Sequence, residues 1–206
     1  MQISSRSFIL SENFNQLVNN VRQCTLCEDS LALGANPVIQ ISTNAKILIA
    51  GQAPGLKVHR SSIPFMDQSG DRLRAWLKVE QKTFYDPTLF AILPMGFCYP
   101  GRGKSGDLAP IGACAKQWRE KLLAHLTQLE LIIAIGSYAQ NYHLGTRKKV
   151  NLTQTVKSWQ SYTENTRLPI LPLPHPSPRN NIWLKKNPWF EQDVLPYLQH
   201  KIKNIV

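Results

Sequence analysis

The sequence predicts an α/β fold in which helices cover both faces of a largely parallel sheet. Two patterns lead there: short apolar runs that read as buried strands, and between them segments whose apolar residues recur at helical spacing. A third observation sets the scale. The chain has 206 residues, 43% hydrophobic and 18% charged, which is the size and balance of one globular domain spanning 1–206 with no repeat, low-complexity tract or linker.

The elements follow in order. Phe14, Leu17, Val18 and Val21 have the i, i+3, i+4, i+7 spacing of an amphipathic helix that ends at Cys24, before a loop holding Gly34, Asn36 and Pro37. Lys46–Ala50 reads as a strand closed by Gly51 and Pro54. Leu73, Trp76 and Leu77 mark a helix starting near Ser69, and Phe90–Leu93 is a strand stopped by Pro94. Tyr99–Pro110 contains Gly101, Gly103, Gly106 and two prolines, so it reads as a long irregular loop, a feature that in compact domains is often functional. Trp118, Leu122 and Leu126 give a further helix, Leu129–Ile135 the most apolar strand, and Ser137–Leu144 another helix before the basic turn Arg147–Lys149. Leu168–Leu173 carries Pro169 and Pro172, which places it at a sheet edge or in irregular pairing. Trp189, Val194, Leu198 and Ile202 close the chain as a helix.

Charge narrows the partners. Lys and Arg number 24 against 13 Asp and Glu, a formal +11 with a pI near 9.7, which favours a polyanion, nucleic acid before an anionic membrane surface. No segment has the run of apolar residues that a spanning helix needs. Met1–Ser11 lacks the pattern of a secretory signal. The reading is therefore a cytoplasmic protein with no membrane partner. In that reducing setting the four cysteines are ligands or buried thiols rather than disulfides.

Ligands of open parallel sheets bind beyond the carboxyl ends of the strands. Here those ends lead into Gly51-Gln-Ala-Pro-Gly55, Pro94–Gly103, Gly136-Ser137 and Pro174–Asn180, which hold most of the unusual chemistry. Cys24 and Cys27 form a C-x2-C pair, and Cys98 and Cys114 flank the glycine-rich loop that can close a second pair onto the first. Four thiolates suit a structural zinc or an iron–sulfur cluster, and spacing does not choose between them. The bland alternative is that Cys98 and Cys114 are small buried hydrophobes. Gly51–Gly55 lacks both the Walker ending and the dinucleotide glycine pattern, so it is either a plain strand-ending turn or part of another kind of site. Ile63-Pro-Phe65 brings an aromatic to the same strand end. In His175-Pro-Ser-Pro-Arg179 two prolines stiffen the presentation of an imidazole and a hydroxyl. Arg102, Lys104, Arg147, Lys148, Lys149, Arg179, Lys185 and Lys186, with Trp183 and Trp189 interleaved, fit phosphate contacts plus stacking, or a solvated basic face.

As an ordered set these residues resemble the uracil-DNA glycosylase superfamily, in particular its iron–sulfur branch. Gly51-Gln-Ala-Pro-Gly55 followed by Ile63-Pro-Phe65 looks like the first motif of that branch, His175-Pro-Ser177 looks like the second, and the order and spacing of Cys24, Cys27, Cys98 and Cys114 match its cluster ligands. The resemblance implies a three-layer αβα sandwich around a four-stranded parallel sheet and a [4Fe–4S] cluster in preference to zinc. It also implies excision of uracil or another deaminated base from DNA by a monomer that flips the nucleotide out of the duplex. By the same resemblance Gly51, Ala53 and Phe65 would bind the base, and His175 would donate a hydrogen bond to the leaving base. Ser177, Arg179 and Asn180 would grip the DNA.

Two positions depart from the branch. Gln52 stands where it has a glutamate, and a neutral amide can orient a water but not act as a general base. Pro94 lies about where it reads uracil with an asparagine, and no asparagine occurs from Ala45 to Gln140. His59, in the same first-motif loop, is the candidate replacement for the missing carboxylate, since an unperturbed imidazole is partly neutral at physiological pH. Two other functions compete with the glycosylase: a slow or non-catalytic protein that binds damaged DNA, and a zinc-stabilised RNA-binding module.

Overall fold

A computed structural model describes residues 13–104 and 106–206; Met1–Ser11, read above for a signal, lies outside the described residues. Asn13 caps α1 (Phe14–Arg22), its side chain accepting from the Asn15 N–H. Next come β1 (Ile47–Ala50), α2 (Leu56–Ser61), α3 (Gln68–Leu77), the single turn α4 (Gln81–Phe84) and β2 (Phe90–Ile92). The expected irregular loop contains a small antiparallel hairpin, β3 (Arg102–Gly103) with β4 (Gly106–Asp107). The helix expected through Trp118 is broken. It starts as α5 (Gly112–Cys114), widens to a π-helical turn over Ala115–Arg119 and resumes as α6 (Glu120–Ala124). β5 (Leu131–Ile135), α7 (Gly136–Leu144), α8 (Leu152–Lys157), α9 (Gln160–Thr163) and β6 (Ile170–Leu173) follow. The chain closes with α10 (Asn181–Lys186), a π-helical turn over Phe190–Val194 and α11 (Leu195–Ile205).

The main sheet has four parallel strands in the order β2-β1-β5-β6. β1 is central, with Ile47 opposite both Phe90 and Leu131. β6 is an edge strand, as its prolines require: Pro172 sits opposite Ala134 and owes no N–H to a further neighbour.

Every residue of these four strands is buried, and the period-2 geometry of a strand divides them between two cores. Leu48, Ala50, Ala91, Ile132 and Ala134 face α1, α6 and α7 through Leu17, Val21, Leu122 and Ala139. Ile47, Ile49, Phe90, Ile133 and Leu171 face α3 and α11 through Leu73, Leu77, Leu198 and Ile202. The result is the three-layer αβα sandwich. Burying one such leucine or isoleucine is worth roughly 1.5–3 kcal/mol, which is why the two apolar stripes dominate the fold. Among the described residues no helix is long and apolar enough to cross a membrane.

Because all four strands point the same way, their carboxyl ends open on one edge. The segment after β2 runs beside the segment after β1: Met95 N–H donates to the Gly51 carbonyl and Gly96 N–H to the Gln52 carbonyl, both at 2.9 Å.

Candidate active site

That edge carries a cleft of about 600 Å³. Gly51, Gln52, Ala53, Phe65, His175, Ser177, Arg179 and Asn180 all line it, so the two motif segments, more than a hundred residues apart, share one space. Gly51 leaves β1 beneath the Phe65 ring: a Cβ there would meet Phe65 Cζ at 3.7 Å. Phe65 adopts φ +55°, a left-handed conformation that costs a bulky residue about 1–2 kcal/mol. Neighbours hold it there. The Tyr85 hydroxyl donates to the Pro64 carbonyl at 3.0 Å, and the Phe65 ring packs edge-on against Phe84 at 6.2 Å. Gly70, in the first turn of α3, has no Cβ because a Cβ would run into the Phe65 carbonyl.

His175 follows β6. Its Nδ1 accepts the Ser177 N–H at 3.2 Å, so in the neutral ring the proton sits on Nε2, which becomes a donor. Burial pushes the imidazole below its ordinary range, against an opposing pull from the Asp67 and Asp107 carboxylates. The loop itself is fixed from both sides: Asn180 Nδ2 donates to the His175 carbonyl at 2.7 Å, and Arg72 Nη1 donates to the Ser177 carbonyl at 3.1 Å. Ser177 Oγ accepts the Arg179 N–H at 3.3 Å, leaving its own O–H free to donate.

Three expectations change. His59 does not line the cleft: it sits on α2 with its ring 6.0 Å from that of Tyr99, and its buried Nδ1 has no hydrogen-bond partner among the described residues. Of the expected basic cluster only Arg179 lines the cleft, joined by Lys57, which the motifs did not flag. Arg147–Lys149 follow the end of α7, which runs back from the carboxyl end of β5 and carries them away from this edge. Trp183 and Trp189 are packing residues, edge-to-face with each other and with Phe190, and their Nε1 atoms donate to Thr153 Oγ1 and Asn187 Oδ1.

Sequence reading missed two carboxylates. Asp67 and Asp107 line the cleft, with Oδ2 atoms 4.0 and 3.5 Å from where a Cβ on Gly55 would stand. Asp67 was legible as the cap of α3: its Oδ1 accepts the Gly70 N–H at 2.9 Å. Gln52 is committed as well, its Nε2 donating to the Leu108 carbonyl at 3.0 Å.

Pro94 forms part of the cleft wall, and it is pinned from behind. Arg119, fully buried, donates from Nη1 to the carbonyls of Leu93 and Pro94, each at 2.9 Å, and from Nη2 to His143 Nε2 at 2.7 Å. Since a guanidinium only donates, His143 must accept and is neutral.

All four cysteines are free thiols lining a second, smaller cavity of about 20 Å³ beside this wall. Four thiols could supply the donors of a thiolate-ligated centre, and two N–H groups point at their sulfurs: Trp118 Nε1 to Cys24 at 3.2 Å and Phe97 N–H to Cys114 at 3.3 Å. Burial pushes the Cys114 thiol up to about 12, so metal binding there would have to displace a proton. Among the described residues no three His, Cys, Asp or Glu side chains stand as they are at the spacing of a metal-ion site.

The cleft thus lies at the carboxyl edge of a β2-β1-β5-β6 parallel sheet and is lined by Gly51, Phe65 and His175. A family model described as the uracil DNA glycosylase superfamily matches residues 38–199, more than three quarters of the chain, and this protein belongs to that superfamily.

Proposed function

We propose that this chain is a DNA N-glycosylase of the iron–sulfur branch that flips uracil or another deaminated base into the cleft and hydrolyses its N-glycosidic bond. It acts as a cytoplasmic monomer, with residues 1–206 as one functional domain. The observation that carries the reading is the meeting of Gly51–Ala53, Phe65 and His175–Asn180 around one cleft large enough for a nucleotide.

A base inside a duplex cannot be reached, so the substrate must be extruded, and the Phe65 ring is the stacking surface that receives it. His175 then works as a fixed donor. With Nδ1 engaged by Ser177, Nε2–H is the ring's remaining donor and would meet the negative charge that grows on the base oxygen as the C–N bond breaks. One preorganised donor of this kind is worth about 3 kcal/mol. Ser177 and Arg179 supply a hydroxyl and a guanidinium to flanking phosphates. Asn180, tied to the His175 carbonyl, keeps the loop in place as DNA presses on it.

Cys24, Cys27, Cys98 and Cys114 would hold the [4Fe–4S] cluster. When bound it would serve as a structural cross-link between the end of α1, the segment after β2 and α5. The convergence of four thiols and two N–H···S donors supports this assignment.

The test is release of free base from single-stranded and duplex oligonucleotides containing uracil, hypoxanthine or xanthine. Release from at least one is expected. Tight binding to damaged DNA with no release from any would instead make the chain a damage-binding protein. For the cofactor, anaerobically purified protein should be brown and contain iron and sulfide, and Cys98→Ala should lose the colour. Zinc in place of iron, or colour retained in Cys98→Ala, would refute the ligand assignment.

A further inference from the structure

Two carboxylates face the cleft without a part in the motif chemistry, and their other commitments differ. Asp67 gives one oxygen to the cap of α3. The Asp107 carboxylate has no hydrogen-bond partner among the described residues and is exposed on the hairpin that overhangs the cleft. That hairpin is built to stay there. Leu108 N–H donates to the Gly101 carbonyl at 2.9 Å. Gln52 Nε2 holds the Leu108 carbonyl at 3.0 Å. The guanidinium of Arg179 lies against Gly106, where any Cβ would strike Nη1. Gly106 is also at φ +147°, open to glycine and strained for other residues. So Gln52, the amide that stands in place of a carboxylate, anchors the residue next to Asp107.

The geometry points to Asp107 as the general base of the hydrolysis and to Gln52 as the positioning residue that holds it over the cleft; this rests on the glycosylase reading above. Asp107 takes one proton from a water as the water oxygen bonds to C1′ of the flipped nucleotide. The C1′–N bond breaks, its electron pair leaves with the base, and His175 Nε2–H stabilises the charge that results. The proton on Asp107 then exchanges with solvent. The carboxylates of Asp107 and Asp67, both near Gly55, also favour the positive charge that develops on the sugar as that bond stretches. Asp107 is exposed in the free protein, where it keeps water at hand, and bound DNA covers it.

The test is Asp107→Asn, assayed by single-turnover base release on the lesion that the wild type processes and by affinity for an oligonucleotide with a non-hydrolysable 2′-fluoro analogue. General bases contribute about 10²–10⁴-fold. The variant should therefore be slower by a factor of about 100 or more, with the dissociation constant changed by less than about threefold. Asp67→Asn keeps a capping oxygen and should lose less than Asp107→Asn. Gln52→Ala should slow the wild type about tenfold but add nothing in the Asp107→Asn background, because it acts only through that residue. A smaller fall in Asp107→Asn, a loss accounted for by weaker binding, or a larger loss in Asp67→Asn would overturn the assignment of the base. Additive losses would overturn the role of Gln52. An active wild type with an indifferent Asp107→Asn sinks Asp107 alone, whereas a wild type that releases no base sinks the glycosylase reading and this proposal with it.

Discussion

The buried contact between Arg119 and His143 makes acid stability a direct probe of how the cleft wall is held. His143 Nε2 accepts from the guanidinium at 2.7 Å, so protonating the ring would set two cations against each other. Burial first, and the Arg119 charge second, lower the imidazole to about 3. In the unfolded chain it titrates near 6.5. Between those values the unfolded state binds the extra proton and the folded state does not, so stability rises with pH across that window and is lost as pH falls. At pH 4.5 the unfolded histidine is almost fully charged while the folded one is still neutral. Two pH units below 6.5, at about 1.4 kcal/mol per unit, give a loss of about 2–3 kcal/mol relative to pH 7.5. The perturbation is His143→Gln, whose amide oxygen can accept from Arg119 but does not titrate. Urea unfolding of both proteins at pH 7.5 and 4.5 should show the wild type losing about 2–3 kcal/mol more than the variant on acidification. Equal losses would mean that His143 is not held neutral by this contact.

Two further outcomes follow from the cleft. His175→Ala should slow base release about 100-fold, the worth of one transition-state donor, while affinity for lesion DNA changes little; matched losses in rate and affinity would show that the ring binds the ground state instead. Gly70→Ala should destabilise the fold by about 1–3 kcal/mol, as overpacking against the Phe65 backbone does, and should also slow base release, because the turn that presents the stacking ring must move. Urea melts together with the release assay separate the two effects, and a variant with unchanged stability would refute the close approach.

The sheet was legible because its strands are apolar at every position, and Ile47–Ala50 or Leu131–Ile135 cannot satisfy that pattern except under helices on both faces. The short helices were not. α2 spans six residues and buries only Val58, so no stripe marks it. α8 did carry a signal in its cap, Asn151 accepting the Gln154 N–H at 2.9 Å. The spacing of Trp118, Leu122 and Leu126 read as one helix because all three pack on the same core, although Trp118 lies in a π-helical turn and Leu126 past the end of α6. Of the residues that line the cleft, His175 and Phe65 stood out through their motifs, which fix local backbone. Asp107 was hidden because its chemistry depends on a two-residue-per-strand hairpin that only tertiary contacts to Gln52 and Arg179 hold over the cleft. His59 is the converse case: the sequence reads its segment as a loop, but it falls on α2 with its ring beside Tyr99 and is not among the residues that line the cleft.

Arg119 has one more consequence. It sits five residues beyond Cys114 on the same broken helix and grasps the main chain on either side of the Leu93–Pro94 bond. Whatever side chain occupies position 94 therefore inherits a backbone already clamped from the rear, and can be exchanged without the strand end drifting. On the glycosylase reading proposed above, single substitutions at that wall would retune lesion preference, on condition that the thiol-bearing helix behind it stays whole.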